Sequence, residues 1–172
     1  MPRRNPVGGG RHHKVMTPNI DIPDKDRAAV VDILNRLLSD EYVLYTKTRN
    51  YHWNVSGPQF NDLHKFFESQ YEELNEFVDE IAERARQLGG RAFGTLAEFA
   101  KTARLTEQPG AVPAAKEMLS TLLGDHEAVI RTLRSDIGPV AERYKDVGTS
   151  DFLTGLLEKH EKMAWMLRAF VS

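Results

Sequence analysis

His64, Glu68, Asp79 and Glu83 are the side chains whose types and spacing point first to chemistry. Read as a helix with His64 at zero, Glu68 falls at about 40°, Asp79 at about 60° and Glu83 at about 100°. The apolar residues Leu63, Phe67, Tyr71, Leu74, Val78, Ile81 and Ala85 of the same stretch cover about -20° to -100°. The polar set is therefore one strip along the edge of a core-facing surface. Two pairs of imidazole or carboxylate groups at i, i+4 match the donor types and spacing of a metal site. The competing reading is an acidic helix flank that is simply solvated.

One ion cannot be held by all four residues of a single helix, because His64 and Asp79 lie about 22 Å apart along the axis. The outer pair His64 and Glu83 and the inner pair Glu68 and Asp79 share one midpoint, between Glu73 and Leu74. Two copies packed antiparallel about a twofold axis would set His64 against the other copy's Glu83 position, and Glu68 against its Asp79 position. Glu68 facing an aspartate would repel it, or hold a proton, unless a cation sat between them. Metal sites shared between two subunits would supply that charge. His52 joins the set because it lies just before Val55-Ser56-Gly57-Pro58, a break that returns the chain towards His64. Read alone, a histidine there is a capping or packing residue.

The elements that must position these groups are long helices. After residue 20, proline-free stretches cover 24–57, 59–108, 114–138 and 140–172, and no stretch sustains a period of two. The first helix is expected over about 24–54, with Val30, Leu34, Leu37, Leu38 and Tyr45 at helical spacing. Ser56 and Gln59 have the capping-box spacing for a second helix with Pro58 in its first turn, ending at Leu88 before Gly89-Gly90. Thr95 and Glu98 form another such box, opening a short helix to about Thr102. A third long helix runs from near Pro113 to about Ile137, where Gly138-Pro139 should kink or end it. The last begins near Thr149 and carries Phe152, Leu156, Leu157, Met163, Trp165, Met166 and Phe170. The expected fold is all-α, an antiparallel four-helix bundle with a short extra helix in its long second connection.

Composition narrows the function. The 172 residues include no cysteine, which excludes thiolate metal sites, iron–sulfur clusters and a cysteine nucleophile. No apolar run is long enough to span a bilayer and no apolar h-region follows the basic start, so a cytoplasmic protein without a membrane partner is expected. Charge is uneven: residues 1–20 hold Arg3, Arg4, Arg11 and Lys14 and no acid, leaving 19 basic and 25 acidic residues for the rest. Residues 1–21 read as a flexible basic tail and 22–172 as the bundle domain. Bundles that build a di-iron centre inside one subunit use Glu-x-x-His on two helices. That motif is missing here, and Glu158-Lys159-His160 and Asp125-His126 have the wrong spacing to bind from one face.

His52-Trp53-Asn54-Val55, Gly57, Phe60, Leu63-His64, Asp79 and Ala82-Glu83-Arg84 resemble the pattern of the Dps family, the DNA-binding mini-ferritins of starved cells. The likeness runs from about Ile22 to Ser172 and includes Gly148-Thr149-Ser150-Asp151-Phe152 and Trp165-Met166. The resemblance implies a hollow dodecamer of ferritin-like subunits that oxidises Fe(II) to Fe(III) and stores the ferric mineral. It implies hydrogen peroxide as the preferred oxidant, with O2 as the other. It implies that His52, His64 and Glu68 meet Asp79 and Glu83 of a neighbouring subunit at the metal. Trp53 would stand beside that centre, to intercept radicals or to pack the interface. The family usually has aspartate where this chain has Glu68, so a nucleoid-binding structural protein with a weakened metal site is the alternative. Asp146 and Asp151 match the acids that line the family's threefold iron pores, although Asp151 also suits the helix dipole. Arg3, Arg4, Arg11 and Lys14 would give sequence-independent, salt-sensitive DNA contacts, multiplied over twelve copies but opposed by the acidic bodies.

Overall fold

The computed structural model describes residues 16–172, which form five helices: α1 (Asp24–Asn54), α2 (Phe60–Gln87), α3 (Leu96–Thr102), α4 (Ala115–Glu142) and α5 (Val147–Val171). Arg3, Arg4, Arg11 and Lys14 lie outside the described residues. α1 pairs with α2 and α4 with α5, the two hairpins enclose one core, and α3 in the long connection packs on α1. The expected all-α four-helix bundle with a short extra helix is the observed fold. Among the described residues no helix is long and apolar enough to cross a membrane.

Leu34, Leu63, Phe67, Leu74, Phe77, Ile81, Leu122, Leu153 and Leu167 are wholly buried, each at a helical repeat of its own element. α1 is exceptional in also burying Asn35, Ser39, Asp40, Glu41, Lys47, Thr48 and His52, since it meets α2, α3 and α4 at once. Several of these hold the crossing connection in place. The Asn35 amide donates to Arg91 O at 3.0 Å and accepts from Phe93 N at 2.9 Å. The Asp40 carboxylate takes Arg104 N at 2.6 Å and Arg104 Nε at 2.8 Å, and Tyr42 stacks on Phe99.

The helix ends follow local chemistry in most places. Gly89, at φ +84°, closes α2 in a Schellman motif, with Gly89 N donating to Arg86 O and Gly90 N to Ala85 O. Pro18 lies so close that a Cβ on Gly89 would come within 2.7 Å of its ring. The Thr95–Glu98 capping box forms as expected.

Three expectations are corrected. α2 starts at Phe60 without a side-chain cap from Ser56 or Gln59, because a turn at Gly57 (φ +108°) closes the break through Phe60 N and Gly57 O. α4 does not end at Ile137 but runs through Gly138-Pro139 to Glu142. There the loss of one N–H is outweighed by burial of Val140, by Arg143 N donating to Pro139 O, and by Ser150 Oγ bonding Ile137 O. α5 begins two residues early, at Val147, because Asp146 is its N-cap and accepts from Thr149 N at 2.9 Å.

Two outcomes follow. Leu74→Ala empties a fully buried site and should cost about 2–5 kcal/mol, read as a lower urea midpoint at unchanged m. Glu98 is held down from 4.5 to about 2, first by Arg91 and then by Gly94 N. Its contribution is therefore complete above about pH 4.5 and is lost as pH falls through about 2. A carboxyl-carbon NMR titration should give that low midpoint and Arg91→Gln should raise it; a wild-type midpoint near 4.5 would contradict the assignment.

Candidate metal centre at the α1–α2 turn

The turn between α1 and α2 brings together two histidines twelve residues apart. His52 closes the last turn of α1, His64 stands near the start of α2, and their rings stack with centroids 3.8 Å apart and planes 18° from parallel. Each ring is tied to the other's backbone: His52 Nδ1 is 2.7 Å from His64 O, and His64 Nδ1 is 2.8 Å from His52 O. A carbonyl oxygen can only accept, so both Nδ1 atoms carry the proton and both rings donate. In the neutral rings this leaves both Nε2 lone pairs free. Backbone carbonyls that fix a histidine's tautomer and orientation are the usual support of a metal ligand.

Phe60 stacks on the outer face of His64 at 5.1 Å, and Tyr71 meets His52 edge-on at 5.2 Å. Burial, then the nearby Glu68 carboxylate, raises the Tyr71 phenol above its ordinary range, with Arg49 opposing. The Arg49 guanidinium lies 5.2 Å from the Tyr71 ring, 5.3 Å from Trp53 and 5.7 Å from Tyr45, and it also donates to Tyr45 OH. Trp53 remains 64% exposed beside the pair, while His52 is 7% exposed.

The structure thus brings His52 and His64 together, with Glu68 one turn further along α2. Asp79 and Glu83 are exposed on the same helix, but His64 to Asp79 is still about 22 Å of helix. Among the described residues no three His, Asp or Glu side chains of one chain are placed so that they could hold a metal ion. Asp146, expected at a pore, is 2% exposed, and its carboxylate is occupied by Thr149 N, Thr149 Oγ1 and Arg84 Nη2. Asp151 is exposed.

Phe60, Tyr71 and Arg49 were not singled out as site residues by the sequence reading. Arg49 was legible in principle, since Tyr45, Arg49 and Trp53 follow one another at intervals of four on α1.

Comparison with known proteins agrees with this architecture. A ferritin-like domain model matches residues 31–172. A low temperature-induced protein of Nostoc sp. is 48% identical over 153 residues, covering 89% of this chain and 86% of that protein. DNA protection during starvation protein 2 of Bacillus anthracis is 38% identical, covering 83% and 97%. The crystal structure of the Dps protein from Vibrio cholerae O1, described as a member of a broad superfamily of ferritin-like diiron-carboxylate proteins, superposes with a TM-score of 0.84. It is 28% identical, over 91% of this chain and 98% of that one. With the model matching most of its length and a starvation-protection relative of this identity, the chain belongs to the Dps family of ferritin-like proteins.

Proposed function

We propose that this protein is a ferroxidase that oxidises Fe(II) at centres shared between two subunits and stores the ferric product inside a closed homo-oligomer, a dodecamer. The observation that carries the proposal is the reciprocal His52–His64 bond pair, which aims two imidazole Nε2 atoms from a rigid corner. Glu68, one turn along α2, adds an oxygen donor. The acids Asp79 and Glu83 are too far along the helix to join them within one chain, and an antiparallel copy of α2 would bring the partner's equivalents within reach. Relatives named for DNA protection during starvation and a neighbour described as a diiron-carboxylate protein support iron chemistry.

Iron is the substrate. Imidazole nitrogens suit Fe(II), and the carboxylates match the harder Fe(III) product. Two Fe(II) each give one electron, hydrogen peroxide accepts both as its O–O bond breaks, and two protons complete two waters. A pairwise reaction of this kind releases no hydroxyl radical. O2 is the alternative oxidant. Trp53, exposed and in contact with the Arg49 cation, is the oxidisable group placed to intercept stray one-electron products. Asp151 is the remaining candidate for drawing Fe(II) towards a pore. Cytoplasmic iron storage and protection of DNA from oxidative damage are the biological reading. Sequence-independent DNA binding through Arg3, Arg4, Arg11 and Lys14 is the second activity.

A subunit-mixing experiment tests the shared centre. The His52→Ala/His64→Ala and Asp79→Asn/Glu83→Gln variants should each lose peroxide-dependent Fe(II) oxidation. A one-to-one reassembled mixture should regain about a quarter of wild-type activity, the fraction of centres in which an intact imidazole pair meets intact acids. A mixture as inactive as its parents would exclude sharing, and active parents would place the chemistry elsewhere. Replacing the four tail cations by glutamine should weaken DNA binding at low salt at least about tenfold and flatten its salt dependence. Iron oxidation by that variant should be unchanged, and undiminished DNA binding would remove the tail from the reading.

A further inference from the structure

The bundle interior holds a second ionisable group, distant from the α1–α2 turn and unused by the iron chemistry. Glu41 of α1, His126 of α4 and His160 of α5 are all fully buried. His160 stands between the other two: its Nε2 is 2.8 Å from Glu41 Oε1, and its Nδ1 is 2.9 Å from His126 Nδ1. The first approach is a charge contact too oblique for a hydrogen bond. Both Glu41 oxygens and both Nε2 atoms accordingly have no hydrogen-bond partner among the described residues.

The surrounding charges come in balanced pairs. From α2, Phe77 packs on His160 with centroids 5.3 Å apart; Lys159 lies 5.0 Å from the Phe77 ring and 3.8 Å from Glu80. On the α1–α4 side, Asp125, next to His126 in sequence, is bound by Lys47 at 2.6 Å. Neither pair leaves a net charge facing the triad.

Two imidazole nitrogens 2.9 Å apart can share one proton. With none, lone pair meets lone pair; with two, N–H meets N–H. A buried carboxylate also requires a cation beside it. A single N–H between the rings, donated by His160 Nδ1 to the lone pair of a neutral His126, satisfies the nitrogen pair. Burial first, and the His160 charge second, hold His126 well below its ordinary range.

We infer that Glu41, His160 and His126 form an acid-sensitive catch between α1 and the α4–α5 hairpin, closed by one proton between the two rings and opened by a second. The sign follows from linkage. His126 stays neutral in the closed core and takes up a proton below about pH 6.5 once exposed. Opening should therefore become about tenfold more favourable per pH unit below that value.

Hydrogen–deuterium exchange of the intact assembly, from about pH 7.5 to about pH 5 and corrected for intrinsic rates, reads the catch directly. Protection of α1 around Glu41 and of α5 around His160 should fall about tenfold per unit below about pH 6.5. His126→Gln, polar but not titrating, should flatten that dependence. Protection of these segments that does not change with pH would overturn the inference. So would an equal fall in His126→Gln, or a fall confined to the His52–His64 corner. If the variant does not assemble, the wild-type profile alone still decides.

Discussion

Two imidazoles that each donate to the other's backbone carbonyl can do so only while the end of α1 and the start of α2 stay within one hydrogen bond of each other. The rest of the α1–α2 hairpin serves that tolerance. Gly57 supplies a left-handed turn, Val55 is buried beneath it, and Phe60 and Tyr71 close the two outer faces of the ring pair. Behind them, Tyr51 and Phe67 pack in the apolar core, so the corner cannot splay without opening it. The site therefore needs no loop of its own. Its rigidity is the rigidity of the hairpin.

α1 carries the largest share of the organisation, and its buried polar groups divide the work along its length. Near its start Arg27 bonds Ile22 O and Leu88 O, gathering the N-terminal segment and the end of α2. In its middle Asn35 and Asp40 fix the long connection, while Glu41 faces the other hairpin. Lys47 binds Asp125, and His52 completes the corner. Each of these groups breaks an otherwise apolar face. Each is kept because its partner is specific, which favours a single register of packing over the alternatives open to a uniformly apolar helix.

Much of this was legible from residue order because helices are local objects. Periodicity gave α1 at the bounds observed, and the glycine pair after α2 and the Thr95 box signalled their caps without tertiary help. Legibility failed where packing outweighed a local signal. Gly138-Pro139 signals a possible helix end at Ile137, yet burial of Val140 and the bond from Ser150 carry α4 past it. The approach of His52 to His64 could be anticipated from a four-residue turn, but their mutual Nδ1 bonds could not. The Glu41–His160–His126 group was invisible for a different reason. Its members come from three helices, and ligand spacing within one helix, the test applied to His126 and His160, does not register convergence across a bundle.

The contact of Pro18 with Gly89 has a consequence for how such a protein can change over time. It fastens the N-terminal segment at the far end of α2 from the histidine corner, with about 40 Å of helix between them. The described segment before α1 is thus joined to the body at the opposite end of α2 from the imidazole pair. Substitutions at the Pro18–Gly89 contact therefore act through the far end of α2, so the two ends of that helix can be altered as separable modules.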